Sequence, residues 1–89
     1  MKTLVIYDIE EDKIRNKVFE ACKDYGLQHV QYSAFLGDLN HNRREELWLR
    51  LRRTMGKKIG KVLMCPICDK DAGLIKELYI GPEGDFSDA

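Results

Sequence analysis

The fold is decided by the stretch Lys2-Thr3-Leu4-Val5-Ile6-Tyr7-Asp8, close to the beginning of the chain. Its central residues are apolar at consecutive positions and include the β-branched Val5 and Ile6, a pattern typical of a strand buried on both faces. Asp8 ends this run just before a segment with helical spacing. The stretch therefore predicts a central strand with a carboxylate at its end, where folds that combine sheets and helices tend to place functional sites.

Outward from this strand, the chain alternates between helical and extended patterns. Apolar residues at spacings of three and four predict helices over 11–25 and 42–55. Asn42 and Glu45 stand at the spacing of a capping box at the start of the second helix. The pattern over 28–39 fits either one bent strand or a hairpin. Two further strands are predicted over 61–67 and 74–80.

This order of elements predicts one sheet with two helices on one of its faces. The other face of the sheet is then open. Since residues 2–8 are apolar on both faces, we expect a second subunit to cover that face, in a two-fold homodimer. Gly81 and Pro82 break the chain, so we expect a domain over 1–80 and an acidic tail over 81–89.

The composition excludes several classes of protein. The 89 residues are 44% hydrophobic and 34% charged, with 15 basic and 15 acidic side chains, which fits neither a disordered chain nor a multidomain enzyme. The apolar run from Leu4 to Tyr7 is far shorter than the roughly 20 residues that cross a bilayer. It is also too short for a signal peptide. Three cysteines, an odd number, favour a reducing compartment. We therefore expect a cytoplasmic protein with no membrane partner.

The middle of the chain is strongly basic. Residues 41–61 carry eight basic and two acidic side chains, a local net charge of +6, between segments of −2 and −4. Arg43, Arg50 and Lys57 recur at steps of seven residues, near one helical face, and Arg53 flanks them. Basic rows of this kind follow a phosphate backbone without reading its sequence. The segment predicts a nucleic-acid-binding surface, and a solvated helix face is the alternative.

Three stretches of the chain carry a resemblance to a known family. They are Val5-Ile6-Tyr7-Asp8-Ile9 with Asp12-Lys13-Ile14-Arg15-Asn16-Lys17-Val18, then Tyr25-Gly26-Leu27-Gln28-His29-Val30-Gln31-Tyr32-Ser33-Ala34-Phe35-Leu36-Gly37, and Val62-Leu63-Met64-Cys65-Pro66-Ile67-Cys68. In this order they resemble the small CRISPR-associated endoribonuclease, one of the two near-universal CRISPR adaptation proteins. The resemblance extends from residue 2 to about residue 80.

The resemblance implies a fold and a function. The fold is α+β and ferredoxin-like, with two helices on one face of the sheet and a homodimer formed through the other face and the C-terminal strands. The activity is that of a metal-dependent phosphodiesterase on single-stranded RNA and, in some members, on double-stranded DNA. The partners are dimers of the CRISPR integrase, which the family bridges during spacer acquisition.

The resemblance also implies site residues. The family's metal-binding aspartate falls on Asp8, and two copies of Asp8 across a dimer axis, with phosphate and water, would suit the oxygen preference of Mg²⁺. The other catalytic residues that it implies are Tyr7, Arg15 and Phe35. Lys17 and His29 stand where some members have arginine. Lys17 keeps the charge for nucleic-acid binding but loses the guanidinium fork, and His29 is mostly neutral near pH 7.

Alternatives to a nuclease stay open from the residues alone. One is a scaffold that binds DNA through the basic segment without cleaving it. Another is a related toxin-type ribonuclease, and a third is a thiol-active module that uses Cys65 and Cys68. The C-x-x-C spacing of this pair fits a reduced structural pair, because a zinc site needs two more ligands and a redox motif normally opens a helix.

Overall fold

Four strands and three helices follow one another along residues 1–82, the part of the chain that this computed structural model describes. They are β1 (Lys2–Asp8), α1 (Asp12–Asp24), β2 (Gln28–Gln31), β3 (Ala34–Asp38), α2 (His41–Met55), β4 (Lys61–Ile67) and α3 (Asp69–Ala72). Most of the predicted tail over 81–89 lies outside the described residues. No described helix has the length and apolar character needed to cross a membrane.

The strands form one antiparallel sheet in the order β2-β3-β1-β4. β1 lies inside the sheet, and its Val5 is paired with Phe35 on one side and Met64 on the other. The predicted strands over 2–8 and 61–67 are confirmed at both ends. Residues 28–39 form a hairpin rather than one bent strand, with a turn at Tyr32 and Ser33.

Both long helices pack on one face of this sheet, which confirms the predicted α+β, ferredoxin-like fold. Val5 is fully buried, and so are Val18 of α1 and Leu47 of α2, with Leu51 exposed by only 1%. Alternation along β1 sends its odd-numbered residues into this core. Its even-numbered residues therefore point to the other side of the sheet.

We call that other side the open face. Directly paired residues of antiparallel strands share a face, so the register of β1 with β3 and β4 defines its members. The open face carries Lys2, Leu4, Ile6, Asp8, Ala34, Leu36, Asp38, Lys61, Leu63, Cys65 and Ile67. Ile6 and Leu63 remain 40% and 45% exposed, because no helix of residues 1–82 covers them.

The N-cap of the second helix lies two residues before the predicted one. The side-chain oxygen of Asn40 accepts a hydrogen bond of 2.8 Å from the backbone N–H of Arg43. Asn40 is therefore the N-cap, and the prediction that Asn42 caps the helix is wrong. Both asparagines stand near the helix start, and only the backbone geometry selects the one whose side chain reaches an unpaired N–H.

The predicted strand over 74–80 is absent in the single chain. A short helix, α3, follows β4 instead, and residues 74–80 have no regular secondary structure. Their apolar side chains stay in solvent, with Leu74 70%, Leu78 87% and Tyr79 79% exposed. A strand needs the backbone of a neighbouring strand to bond to, and this segment pairs with none of β1 to β4.

Gly60 sets the approach of β4 to the end of β1. A Cβ at this position would lie 3.0 Å from Met55 Cε, 3.1 Å from Ile9 Cγ1 and 3.3 Å from the Asp8 carbonyl oxygen, at a φ of +156°. We expect Gly60→Ala to lower the free energy of unfolding by about 1–3 kcal/mol, because the added carbon must displace its neighbours. Gly73→Ala is the control, since its nearest contact is 3.5 Å and its φ is −67°. Urea denaturation of both variants tests this, and equal stabilities would contradict it.

Candidate active site and nucleic-acid surface

Asp8 is the last residue of β1, and its side chain is exposed on the open face. The next residue, Ile9, is only 4% exposed and belongs to the core. On β4, Lys61 is directly opposite Asp8 in the register of the sheet. A strand end fixed in this way presents a carboxylate to solvent from a rigid support, as a metal or substrate site requires.

Tyr7 and Phe35 lie on the other side of the sheet from Asp8. Their exposed fractions are 3% and 0%, and their ring centroids are 6.4 Å apart. Phe35 also contacts Phe19, at a centroid distance of 5.1 Å, and His29, at 4.8 Å. In this position Phe35 cannot stack on a base. The structure therefore separates these two predicted residues from Asp8. Both lie in the core, where they support the strand.

Burial also decides the protonation state of groups beneath the sheet. Desolvation raises the pKa of the Tyr7 hydroxyl, with a smaller contribution from Cys22. It raises the pKa of the Cys22 thiol to about 12. Both groups are thus protonated near neutral pH, because burial penalises the charged form. Neither can act as a general base or as a thiolate nucleophile there.

Arg15 holds the loop that follows Asp8. Its Nη1 donates hydrogen bonds to the carbonyl oxygens of Ile9, at 3.0 Å, and Glu10, at 3.2 Å. Its Nη2 pairs with the Asp12 carboxylate. The guanidinium is therefore engaged with the backbone just beyond the strand end. This arrangement fixes the loop that follows Asp8, and Arg15 does not contact the Asp8 side chain within hydrogen-bonding distance.

Residues 1–82 offer too few grouped ligands for a metal ion. Within this range, no group of three or more His, Cys, Asp and Glu side chains lies close enough together to hold one. Mg²⁺ is bound by oxygen ligands in near-octahedral geometry, and it usually keeps several waters. Asp8 is an oxygen donor of the right kind, but it fits such an ion only when further donors come from outside residues 1–82.

The predicted basic residues of α2 differ in how far they are already neutralised. Arg43 lies 4.3 Å above the ring of Tyr25 and 3.6 Å from a Glu46 carboxylate oxygen. Arg50 forms an ion pair of 2.9 Å with Asp24 at the end of α1. Two of the predicted binding residues, Arg43 and Arg50, are therefore already paired with groups of their own chain.

Arg53, Lys57 and Lys17 are exposed and carry no ion pair within 4.0 Å among residues 1–82. Arg53 lies in the last turn of α2, and Lys57 follows the helix end. Lys17 borders a cleft between α1 and α2 that Arg50 also lines. These three side chains are the available part of the predicted nucleic-acid surface.

Residues 1–74 match the family model described as CRISPR associated protein Cas2. The chain belongs to this family. This confirms the resemblance found in the sequence.

Relatives of the chain within the Cas2 family are close. A protein of Desulforudis audaxviator named CRISPR-associated endoribonuclease Cas2 is 68% identical over 80 residues, which are 90% of this chain and 76% of that protein. A Cas1/Cas2 fusion endonuclease of Thermoproteus tenax is 40% identical over 62% of this chain and 21% of its own length. The crystal structure of Streptococcus pyogenes Cas2 shares the fold, with a TM-score of 0.75 at 24% identity, over 89% of this chain and all of that one.

The free cysteines contribute little to the candidate site. Cys65 is half-buried on the open face, and Cys68 is exposed just before α3. Cys22 lies in the core, as its helical spacing predicts. The thiol-active alternative to a Cas2-family role therefore has two free thiols at the end of β4 and stays a prediction.

Loss of charge at Arg53 should weaken nucleic-acid binding by this Cas2-family chain. We expect Arg53→Gln to lower affinity for a single-stranded RNA 12-mer equally for all sequences and to reduce the slope of log K against log salt by about 0.7. Arg50→Gln should have a smaller effect, since Asp24 already neutralises that guanidinium. Fluorescence anisotropy at several salt concentrations measures both, and identical slopes for wild type and Arg53→Gln would contradict the expectation.

Proposed function

We propose that this chain is a homodimeric, magnesium-dependent endoribonuclease of CRISPR adaptation, which cleaves single-stranded RNA in the cytoplasm. The observation that carries the proposal is an exposed carboxylate, Asp8, at a rigid strand end on an uncovered apolar sheet face. Relatives that bear the name endoribonuclease support the reaction class. Double-stranded DNA is the second substrate that we propose.

The dimer forms through the open face in this proposal. Ile6 and Leu63 are directly paired in the sheet and both leave about half of their surface in water. Burial of such area stabilises an association by about 25 cal/mol per Å² before its entropic cost. The segment over 74–80, with its exposed Leu78, supplies further apolar surface. We propose that it becomes a strand when the partner chain provides the neighbouring backbone.

Two copies of Asp8, brought together by this dimer, would hold the magnesium ion. When bound, the ion polarises a phosphoryl oxygen and lowers the pKa of its water. Arg15 fixes the loop beyond each Asp8 by its bonds to the carbonyls of Ile9 and Glu10. Tyr7 and Phe35 keep the strand end in place from the helix side, so we propose that they act on cleavage through position alone.

A role beside the CRISPR integrase follows from the fusion relative. In the Thermoproteus tenax protein, a Cas1 and a Cas2 part share one chain. We propose that dimers of a Cas1-type integrase are the partners of this chain in spacer acquisition. The basic residues Lys17, Arg43, Arg50, Arg53 and Lys57 then contact the DNA that passes between them.

Cleavage of end-labelled single-stranded RNA and double-stranded DNA, in magnesium and in chelator, tests the nuclease. A product that appears only with magnesium supports it. Binding of either nucleic acid without any cleavage would replace it with the second candidate, a DNA-binding scaffold. That candidate is favoured by one observation: Arg53 and Lys57, at the end of α2, are exposed and form no ion pair with the described residues.

A further inference from the structure

Lys61 is directly opposite Asp8 in the sheet. The two residues are Cα partners at the end of the β1–β4 ladder, so both side chains project from the open face. Cβ atoms of such cross-strand pairs lie about 4.5–5.5 Å apart. Anything that binds to the Asp8 carboxylate is therefore within reach of the Lys61 ammonium group.

Lys61 has no ion-pair partner in the part of the chain that the structure describes. Its side chain is exposed, and no ion pair within 4.0 Å joins it to Asp8 or to any other residue of 1–82. The lysine at the other end of the ladder differs, since Lys2 pairs with Asp38 at 3.3 Å. Residues 1–82 therefore leave the positive charge beside Asp8 available to a ligand.

The position of the Lys61 backbone is fixed by close packing at Gly60. Gly60, just before it, approaches the Asp8 carbonyl and Ile9 so closely that a Cβ would lie 3.3 Å and 3.1 Å from them. The start of β4 is thereby held against the end of β1. The Lys61 ammonium moves on a flexible stem, but its anchor is as rigid as that of Asp8.

We propose that Lys61 is a substrate-binding residue of the Asp8 site, whose ammonium group binds the non-bridging oxygens of the phosphodiester presented there. The proposal rests on the proposed nuclease function and names one further contact to its substrate. Two carboxylates that meet across a dimer repel a polyanion, and one lysine beside each of them offsets that charge. A lysine binds phosphate as a point charge, so it tolerates the variable sugar and base of an unspecific substrate.

The test compares three variants of the full chain. Lys61→Ala removes the charge, Lys61→Arg keeps it, and Lys70→Ala removes an exposed lysine from α3, which follows the opposite end of β4 from Lys61. The first readout is binding of a single-stranded 2′-O-methyl RNA 12-mer in chelator, which requires neither metal nor cleavage. We expect at least a fivefold weaker Kd for Lys61→Ala, near-wild-type binding for Lys61→Arg, and no change for Lys70→Ala.

The second readout is cleavage of the unmodified 12-mer with magnesium. We expect kcat/KM of Lys61→Ala to fall about 10- to 100-fold while sedimentation shows an unchanged dimer. Lys61→Ala that binds as Lys70→Ala does, or a loss that Lys61→Arg fails to restore, would overturn the proposal. Absence of cleavage by wild type would overturn the nuclease function instead, and the binding readout would still decide about Lys61.

Discussion

Asp8→Asn should abolish magnesium-dependent cleavage, with kcat reduced by about a thousandfold or more. The carboxylate is the one donor that each chain brings to the metal in the proposed site, and metal stabilisation of the transition state contributes several kcal/mol. Asparagine has nearly the same shape, and Asp8 is exposed without a side-chain hydrogen bond within residues 1–82, so the fold should not change. Asp71→Asn, an exposed carboxylate on α3, is the matched control.

Mixed dimers make this prediction sharper. If both Asp8 carboxylates hold one ion, refolding wild-type chains together with Asp8→Asn chains should lower activity as the square of the wild-type fraction. An equal mixture would then retain about one quarter of the activity of wild type at the same total concentration. A linear decrease, or undiminished cleavage by Asp8→Asn alone, would contradict a shared metal site at Asp8.

Ile6→Glu should convert the protein to a monomer and remove cleavage at the same time. Ile6 is 40% exposed in the middle of the open face, beside Leu63, so the single chain tolerates a charge there. In the dimer the same carboxylate would be buried in apolar surroundings without a partner, which costs several kcal/mol. Leu49→Glu is the control, since Leu49 is 45% exposed on α2, away from the open face.

Sedimentation velocity and the RNA cleavage assay measure the two consequences independently. We expect Ile6→Glu to sediment as a monomer with wild-type circular dichroism and no cleavage, and Leu49→Glu to remain an active dimer. A monomeric Ile6→Glu chain that still cleaves RNA with magnesium would show that one chain carries the whole site. A dimeric Ile6→Glu chain would show that the interface lies elsewhere.

Helices and strands whose pattern lies within one short stretch of the sequence were predictable. The apolar spacing of α1 and α2 reports which side of each helix is buried, and the run over 2–8 indicates a strand because it is short and rich in β-branched residues. The segment over 74–80 has the same local character, yet it is not a strand in the single chain. Its composition describes a preference for a strand, and no strand among residues 1–82 supplies the hydrogen-bonding partner that a strand needs.

The candidate site was predictable only in part. Asp8 could be found because a carboxylate at a strand end before a helix is a local signal. Alternation alone places the Tyr7 side chain on the opposite face from Asp8, because the two are neighbours in one strand. It does not show which face the helices cover, since β1 is apolar on both, and the place of Phe35 depends on the pairing of β1 with β3. Lys61 was missed as a member of the site because charge counting placed it in the basic segment. Aligning the two strands 2–8 and 61–67 end to end would have placed it opposite Asp8.

If the proposed dimer completes the Asp8 site, the amount of protein controls its activity. Below the dissociation constant of such a dimer, the active species grows with the square of the chain concentration, so a twofold rise in expression gives about a fourfold rise in nuclease. A cell with few copies of the protein would then leave its own RNA uncleaved without needing an inhibitor. A burst of synthesis would switch cleavage on, and simple dilution at division would switch it off again.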